Sequence, residues 1–170
     1  MERGAFPTAE DERYDIRIAR DGTWYYHGSP IGRIELVKLF STVLRRDEAG
    51  DYWLITPAER GRIVVDDAPF VAVEVEAEGS GPDRRLTFRT NLDHRVTAGP
   101  DHPIRVETDA DTGEPRPYIL VRDRLEALIV RPVFYELVER AEERRGDGGQ
   151  SRLGIWSMGI FFDLGSMSAP

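Results

Sequence analysis

Ile16 and Ile18 alternate with polar neighbours, Asp21-Gly22 supplies a turn, and Trp24, Tyr25 and Tyr26 follow as a β-rich run. This pattern predicts a hairpin followed by a second turn at His27-Gly28-Ser29-Pro30. Residues 1–13 carry no such period and are expected to form a flexible leader. Ile34, Leu36, Val37, Leu39, Phe40, Val43 and Leu44 then recur at three- and four-residue spacings. That spacing predicts a helix over 32–45, with Arg45 and Arg46 suiting the negative end of its dipole. Beyond a polar turn at 47–51, residues 52–56 read as an apolar strand stopped by Pro57. Strands are also expected over 62–65 and 70–76, where Val71, Val73 and Val75 alternate with Ala72, Glu74 and Glu76.

Glycine and proline interrupt every pattern at Glu78-Gly79-Ser80-Gly81-Pro82-Asp83, so the chain is divided there into a first half, 14–78, and a second, 79–165. In the second half, 86–90 and 104–108 alternate as half-exposed strands, and 118–121 and 125–130 read as a hairpin closed by Arg122-Asp123-Arg124. Pro132 suits the first position of a second helix, whose apolar face is Phe134, Leu137, Val138 and Ala141, ending in the charged run 142–145. Glycines weaken a helix over 153–162 while Trp156, Phe161 and Phe162 favour a buried strand, and 165–170 are expected to be loose.

Laid side by side, the halves repeat one order: a hairpin, a helix, a Gly-containing polar break, and an apolar strand with a tryptophan, Trp53 or Trp156. The helices correspond as 34–44 and 133–141. The fold class expected is α+β, two similar lobes with mostly antiparallel sheets and one main helix each.

The chain has 170 residues, a formal charge of −8 and no cysteine. The charge opposes extended contact with nucleic acid or anionic lipid, whose affinity comes mostly from Lys and Arg meeting phosphates. The absence of cysteine excludes disulfides, thiolate metal sites and cysteine nucleophiles, and fits a reducing compartment. With no signal-peptide pattern near the start and no long apolar run, a soluble cytoplasmic protein is expected.

Several residues could carry chemistry. His27, His94 and His102, with Asp93 and Asp101 nearby, invite a metal or general-base reading, yet no pair has the i, i+4 spacing of ligands on one helix face. Asp66 and Asp67 either present carboxylates to a ligand or hold turn amides ahead of Pro69. Thr56-Pro57-Ala58-Glu59 reads as a helical cap, with Thr56 as N-cap and Glu59 as its partner, whose amides could also receive an anion. Arg122, Arg124 and Arg131, with Arg33 ahead of the first helix, either clamp a phosphate or are solvated. No P-loop or nucleophile elbow occurs.

The succession Asp21-Gly22-Thr23-Trp24, Gly28-Ser29-Pro30-Ile31, Tyr52-Trp53-Leu54-Ile55-Thr56-Pro57-Ala58-Glu59, Val65-Asp66-Asp67-Ala68-Pro69-Phe70, Thr90-Asn91, His102-Pro103-Ile104-Arg105-Val106 and Arg122-Asp123-Arg124-Leu125-Glu126 resembles the bacterial DUF1285 family, from about residue 14 to 141. Leu92-Asp93-His94 stands where the family pattern has Gly-Asp. The resemblance implies a duplicated α+β core, a second half similar to pleckstrin-homology domains, a nucleotide-like ligand site at the interface of the lobes, and a role in signal transduction. It implies no enzymatic activity and no cofactor.

The function expected is therefore non-enzymatic binding of a small nucleotide-like ligand by Thr56, Glu59, Asp66, Asp67, Asn91, Arg122 and Arg131. The alternative is a protein-interaction module that meets a protein partner through a sheet edge or the C-terminal aromatic segment.

Overall fold

In the computed structural model, which describes residues 13–146 and 148–166, the first alternating run forms β1 (Arg13–Ile18). Its buried Ile18 stands opposite Trp24 of β2 (Trp24–Tyr26). His27 and Gly28 take positive φ values of 49° and 79°, as a two-residue type I′ turn requires, and lead into β3 (Ser29–Pro30). Arg13 thus belongs to a strand, and the rest of the expected leader lies outside the described residues.

The first helix, α1 (Ile34–Ser41), is shorter than its spacing predicts. The hydroxyls of Ser41 and Thr42 donate to the carbonyls of Lys38 and Leu39 at 2.7 and 2.6 Å, giving those carbonyls local partners at the helix end. Leu44 then leaves the helical path to pair with Leu54, so β4 (Leu44–Arg46) and β5 (Tyr52–Ile55) run antiparallel. Next, β6 (Arg60–Val65) pairs antiparallel with β5 and parallel with β1. The sheet order is β3-β2-β1-β6-β5-β4, and Phe40 of α1 stacks on Trp24 with ring centroids 6.3 Å apart.

The second sheet is built around β7 (Phe70–Glu78), antiparallel to β8 (Arg85–Thr90) and parallel to β12 (Leu125–Ile129). With β9 (Arg95–Thr97), β10 (Ile104–Thr108) and β11 (Pro115–Arg122) its order is β10-β11-β12-β7-β8-β9. After α2 (Arg131–Glu139) the charged run expected to end the helix becomes the exposed edge strand β13 (Glu142–Arg145). Arg144 lies over the rings of Trp156 and Phe161, and Glu142 accepts the Trp156 indole N–H at 2.9 Å.

The C-terminal aromatic segment is a hairpin rather than one strand: β14 (Ser151–Ser157) and β15 (Ile160–Ser166) complete a three-stranded sheet with β13. Gly165 and Ser166 are thus ordered in β15, and the remainder of the end expected to be loose lies outside the described residues. Met158 and Gly159 form the turn at φ 51° and 78°, and their amides donate to the carbonyls of Arg84 and Pro82. Ser157 Oγ accepts the Leu86 amide at 3.0 Å and donates to the Ala98 carbonyl at 2.7 Å. A Cβ at Gly154 would lie 2.2 Å from the Phe161 ring, so glycine is required for that ring to cover the strand. Ile155, Phe162 and Leu164 are buried, which makes the segment part of the core.

The chain divides into two compact units, one of Met1–Pro69 with Asp123–Leu125 and one of Phe70–Arg122 with Glu126–Pro170. This division falls before β7, not at the glycine-rich turn that follows it. Both edges of β7 are taken by β8 and β12 of the second sheet, and a parallel pairing so distant in sequence leaves no local mark. Numbered from its own first strand, each six-stranded sheet has the same order, third, second, first, sixth, fifth, fourth. The lobes are therefore α+β units of one topology. The helix lies between the third and fourth strands in the first unit and after the sixth in the second. The expected match of Trp53 with Trp156 survives in another form, since each is on the central strand of a three-stranded meander that follows the helix. Among the described residues no helix is long and apolar enough to cross a membrane.

Candidate functional site

A cleft of about 460 Å³ opens in the first unit. Its floor is apolar, made by Ile16 of β1, Phe40 of α1, Val43 beyond the helix and Leu54 of β5. Tyr14 and Tyr26 add aromatic walls. Tyr14 can reach this position because residue 61 is glycine: a Cβ there would lie 2.5 Å from the tyrosine ring. Arg13, Asp15, His27, Thr56 and Glu59 form the polar rim. An apolar floor with a few polar groups at the mouth is the usual composition of a small-molecule site, and the volume is within the usual range.

On the rim, His27 Nδ1 lies 2.9 Å from Asp15 Oδ2, and the His27 ring meets that of Tyr26 at a centroid distance of 4.1 Å. The four residues Thr56 to Glu59 make the β5–β6 hairpin turn and not a helical cap. Thr56 N–H donates to the Glu59 carbonyl at 2.8 Å, and Glu59 N–H donates back to Thr56 Oγ1 at 3.1 Å. Two antiparallel strands arrive at this turn, so a hairpin satisfies amides that the sequence alone suggested for a helix start. The turn backbone is thereby fixed, and the Glu59 side chain is exposed.

Of the seven residues expected to bind ligand, the cleft brings together Thr56 and Glu59. Asp66 lies instead just past β6, where its amide donates to the Ile18 carbonyl and its carboxylate takes the Arg17 Nε at 2.9 and 3.0 Å, with a further bond from Arg17 Nη2. Those hydrogen bonds hold the Asp66 carboxyl below the ordinary carboxylate range against the opposing effect of burial. Asp67 turns a nearly buried side chain to within 3.6 Å of Arg20. Asp66 and Asp67 thus each face an arginine of the first unit, Arg17 or Arg20, near the end of β6.

Asn91, Arg122 and Arg131 belong to the second unit. Asn91 exchanges two bonds with Val71, its amide donating to the Val71 carbonyl at 2.9 Å and its Oδ1 accepting the Val71 amide at 3.1 Å. These bonds tie the turn after β8 to β7. Arg122 ends β11, and Arg131 opens α2 with its guanidinium 3.3 Å from Glu114.

The sequence reading missed Asp15 as the partner of His27, because a lone aspartate in a strand resembles any solvated position. His94 meets Phe70 edge-on, and His102 Nδ1 bonds the Leu120 carbonyl at 2.9 Å. Among the described residues no group of three or more His, Asp or Glu side chains is placed to hold a metal ion. A second cleft, of about 660 Å³, lies in the second unit between β10 and β15. Two of its charged groups pair with one another, Arg152 with Asp163 at 2.5 Å, and Arg105 is held by Glu126 and Glu107.

Comparison with known proteins agrees with this two-unit architecture. Residues 7–68 match the model of the N-terminal domain of the DUF1285 proteins, and residues 69–164 match that of the C-terminal domain, both described as of unknown function. A crystal structure of a DUF1285 family protein from Silicibacter pomeroyi DSS-3 is 48% identical, with a TM-score of 0.85 over 92% of this chain and 82% of that one. A second, from Shewanella baltica OS155, is 25% identical, with a TM-score of 0.58 over 75% of this chain and 92% of that one. No curated protein matches. With both domain models matched in order along nearly its whole length, the chain belongs to the DUF1285 family.

Proposed function

We propose that this chain is a non-enzymatic ligand-binding protein of the bacterial cytoplasm, that it takes a small nucleotide-like molecule in the cleft of its first unit, and that it serves signal transduction. The observation that carries this reading is the cleft itself, where four apolar side chains make a floor and Thr56 and Glu59 stand on the rim. A flat apolar ring gains from leaving water for such a floor, and the rim supplies the few polar contacts that fix its orientation. The likeness of the second unit to pleckstrin-homology domains belongs to the same proposal.

A thermal-shift screen with nucleotides and related metabolites tests it. A ligand present at about 100 times its Kd stabilises the fold by about 2.7 kcal/mol, and Glu59→Gln, whose turn is held by backbone and Thr56 groups, should reduce that shift while leaving the unliganded melting temperature near its original value. No shift with any nucleotide would remove the reading. Docking of a protein partner through the C-terminal aromatic segment has less support, because Ile155, Phe162 and Leu164 are committed to the core.

A further inference from the structure

His27 occupies a backbone conformation uncommon for residues other than glycine. Its φ of 49° is in the left-handed region, where glycine, asparagine and aspartate are the usual residues at the first position of a type I′ turn. Its imidazole is largely exposed and meets the Asp15 carboxylate. Asp15 Oδ2 lies 2.9 Å from Nδ1, and an ionised carboxylate only accepts, so Nδ1 carries the ring proton. In the neutral ring Nε2 is then an acceptor. It meets no partner among the described residues, nor does the Glu59 carboxylate, and both residues border the same cleft.

Beside the Arg13 guanidinium and the Thr56 hydroxyl, the rim thus carries two acceptors, His27 Nε2 and the Glu59 carboxylate, above an apolar floor flanked by Tyr14 and Tyr26. A ligand that turns acceptors toward His27 and Glu59 would leave these two groups without protons to share. A planar ring with N–H donors on its edge satisfies both.

We propose that His27, oriented by Asp15, is the specificity-determining contact of this cleft, and that with Glu59 it selects a heteroaromatic ligand presenting N–H donors, as the amino-substituted purine bases do. The inference rests on the ligand-binding reading above and deepens it.

Titration calorimetry with adenosine monophosphate, guanosine monophosphate and purine riboside 5′-monophosphate, which has neither an exocyclic amine nor a ring N–H, tests it on the full chain. The first two should bind at least tenfold more tightly than the third. His27→Asn suits the turn, so it should keep or raise the melting temperature while weakening the first two at least tenfold. If all three bind alike, or if His27→Asn binds as the original does, His27 is a turn residue only; the proposal falls while the cleft stands. If none binds, both readings fall. Nitrogen NMR of the unliganded protein gives a measurement free of any ligand: the proposal requires the His27 proton on Nδ1, and finding it on Nε2 overturns the assignment.

Discussion

Trp24 and Trp53 are each 1% exposed, yet their indole N–H groups fare differently. Trp53 donates to Asp47 Oδ2 at 2.9 Å and lies under the Arg62 guanidinium, whereas the buried N–H of Trp24 finds no acceptor among the described residues. Burial pushes the Asp47 carboxyl up, but the bonds from Trp53 and from the amides of Asp51, Ala49 and Gly50 outweigh it and hold it below the ordinary range. Replacing either indole by phenylalanine removes similar apolar volume, so the contrast isolates the polar group. Trp53→Phe should cost more than Trp24→Phe by about 1.5 kcal/mol, the worth of a hydrogen bond to a charged partner. Urea denaturation midpoints of the two variants measure it, and equal losses would count against this account.

Among the elements, the parallel pair of β1 and β6 ends in the Asp66 amide bond to Ile18 and the Arg17–Asp66 ion pair. Because the folded carboxyl titrates below its unfolded counterpart, the pair contributes stability above the unfolded value of about 3.9 and loses it as pH falls through the folded one. Asp66→Asn should therefore lower the melting temperature at pH 7 and have a much smaller effect near pH 2. A loss of equal size at both pH values would show that packing, and not charge, is what the substitution removes. At this scale the sequence was informative where alternation was long, as in β1, β8 and β10, and less so where elements compete. The residues after Ser41 fit a helical stripe, but Leu44 is worth more opposite Leu54 in the sheet. The three residues of β9 hold too little alternation to be read.

For the whole molecule, the position of β7 decides where one unit ends. A fragment beginning at Phe70 keeps the strand that joins β8 to β12, while one beginning at Gly79 lacks it. The longer fragment should therefore melt cooperatively and show dispersed amide signals, and the shorter should not. Equal behaviour would argue for division at the glycine-rich turn.

The candidate site divides along the same line. Glu59 and Thr56 were legible as a polar strand end, and their place beside an apolar floor came from the sheet and α1. Asn91, half-buried in the turn after β8, bonds β7 through its side-chain amide, the same chemistry a ligand contact would use. What the sequence by itself determined was the set of elements and their wet and dry faces, since these follow from periods of two and 3.6 within a few residues. Tertiary structure alone decided the partners: which strands lie parallel, where one unit gives way to the next, and that Asp15 meets His27. Those outcomes depend on hydrogen bonds between residues far apart in the chain, for which alternation is equally satisfied by many neighbours.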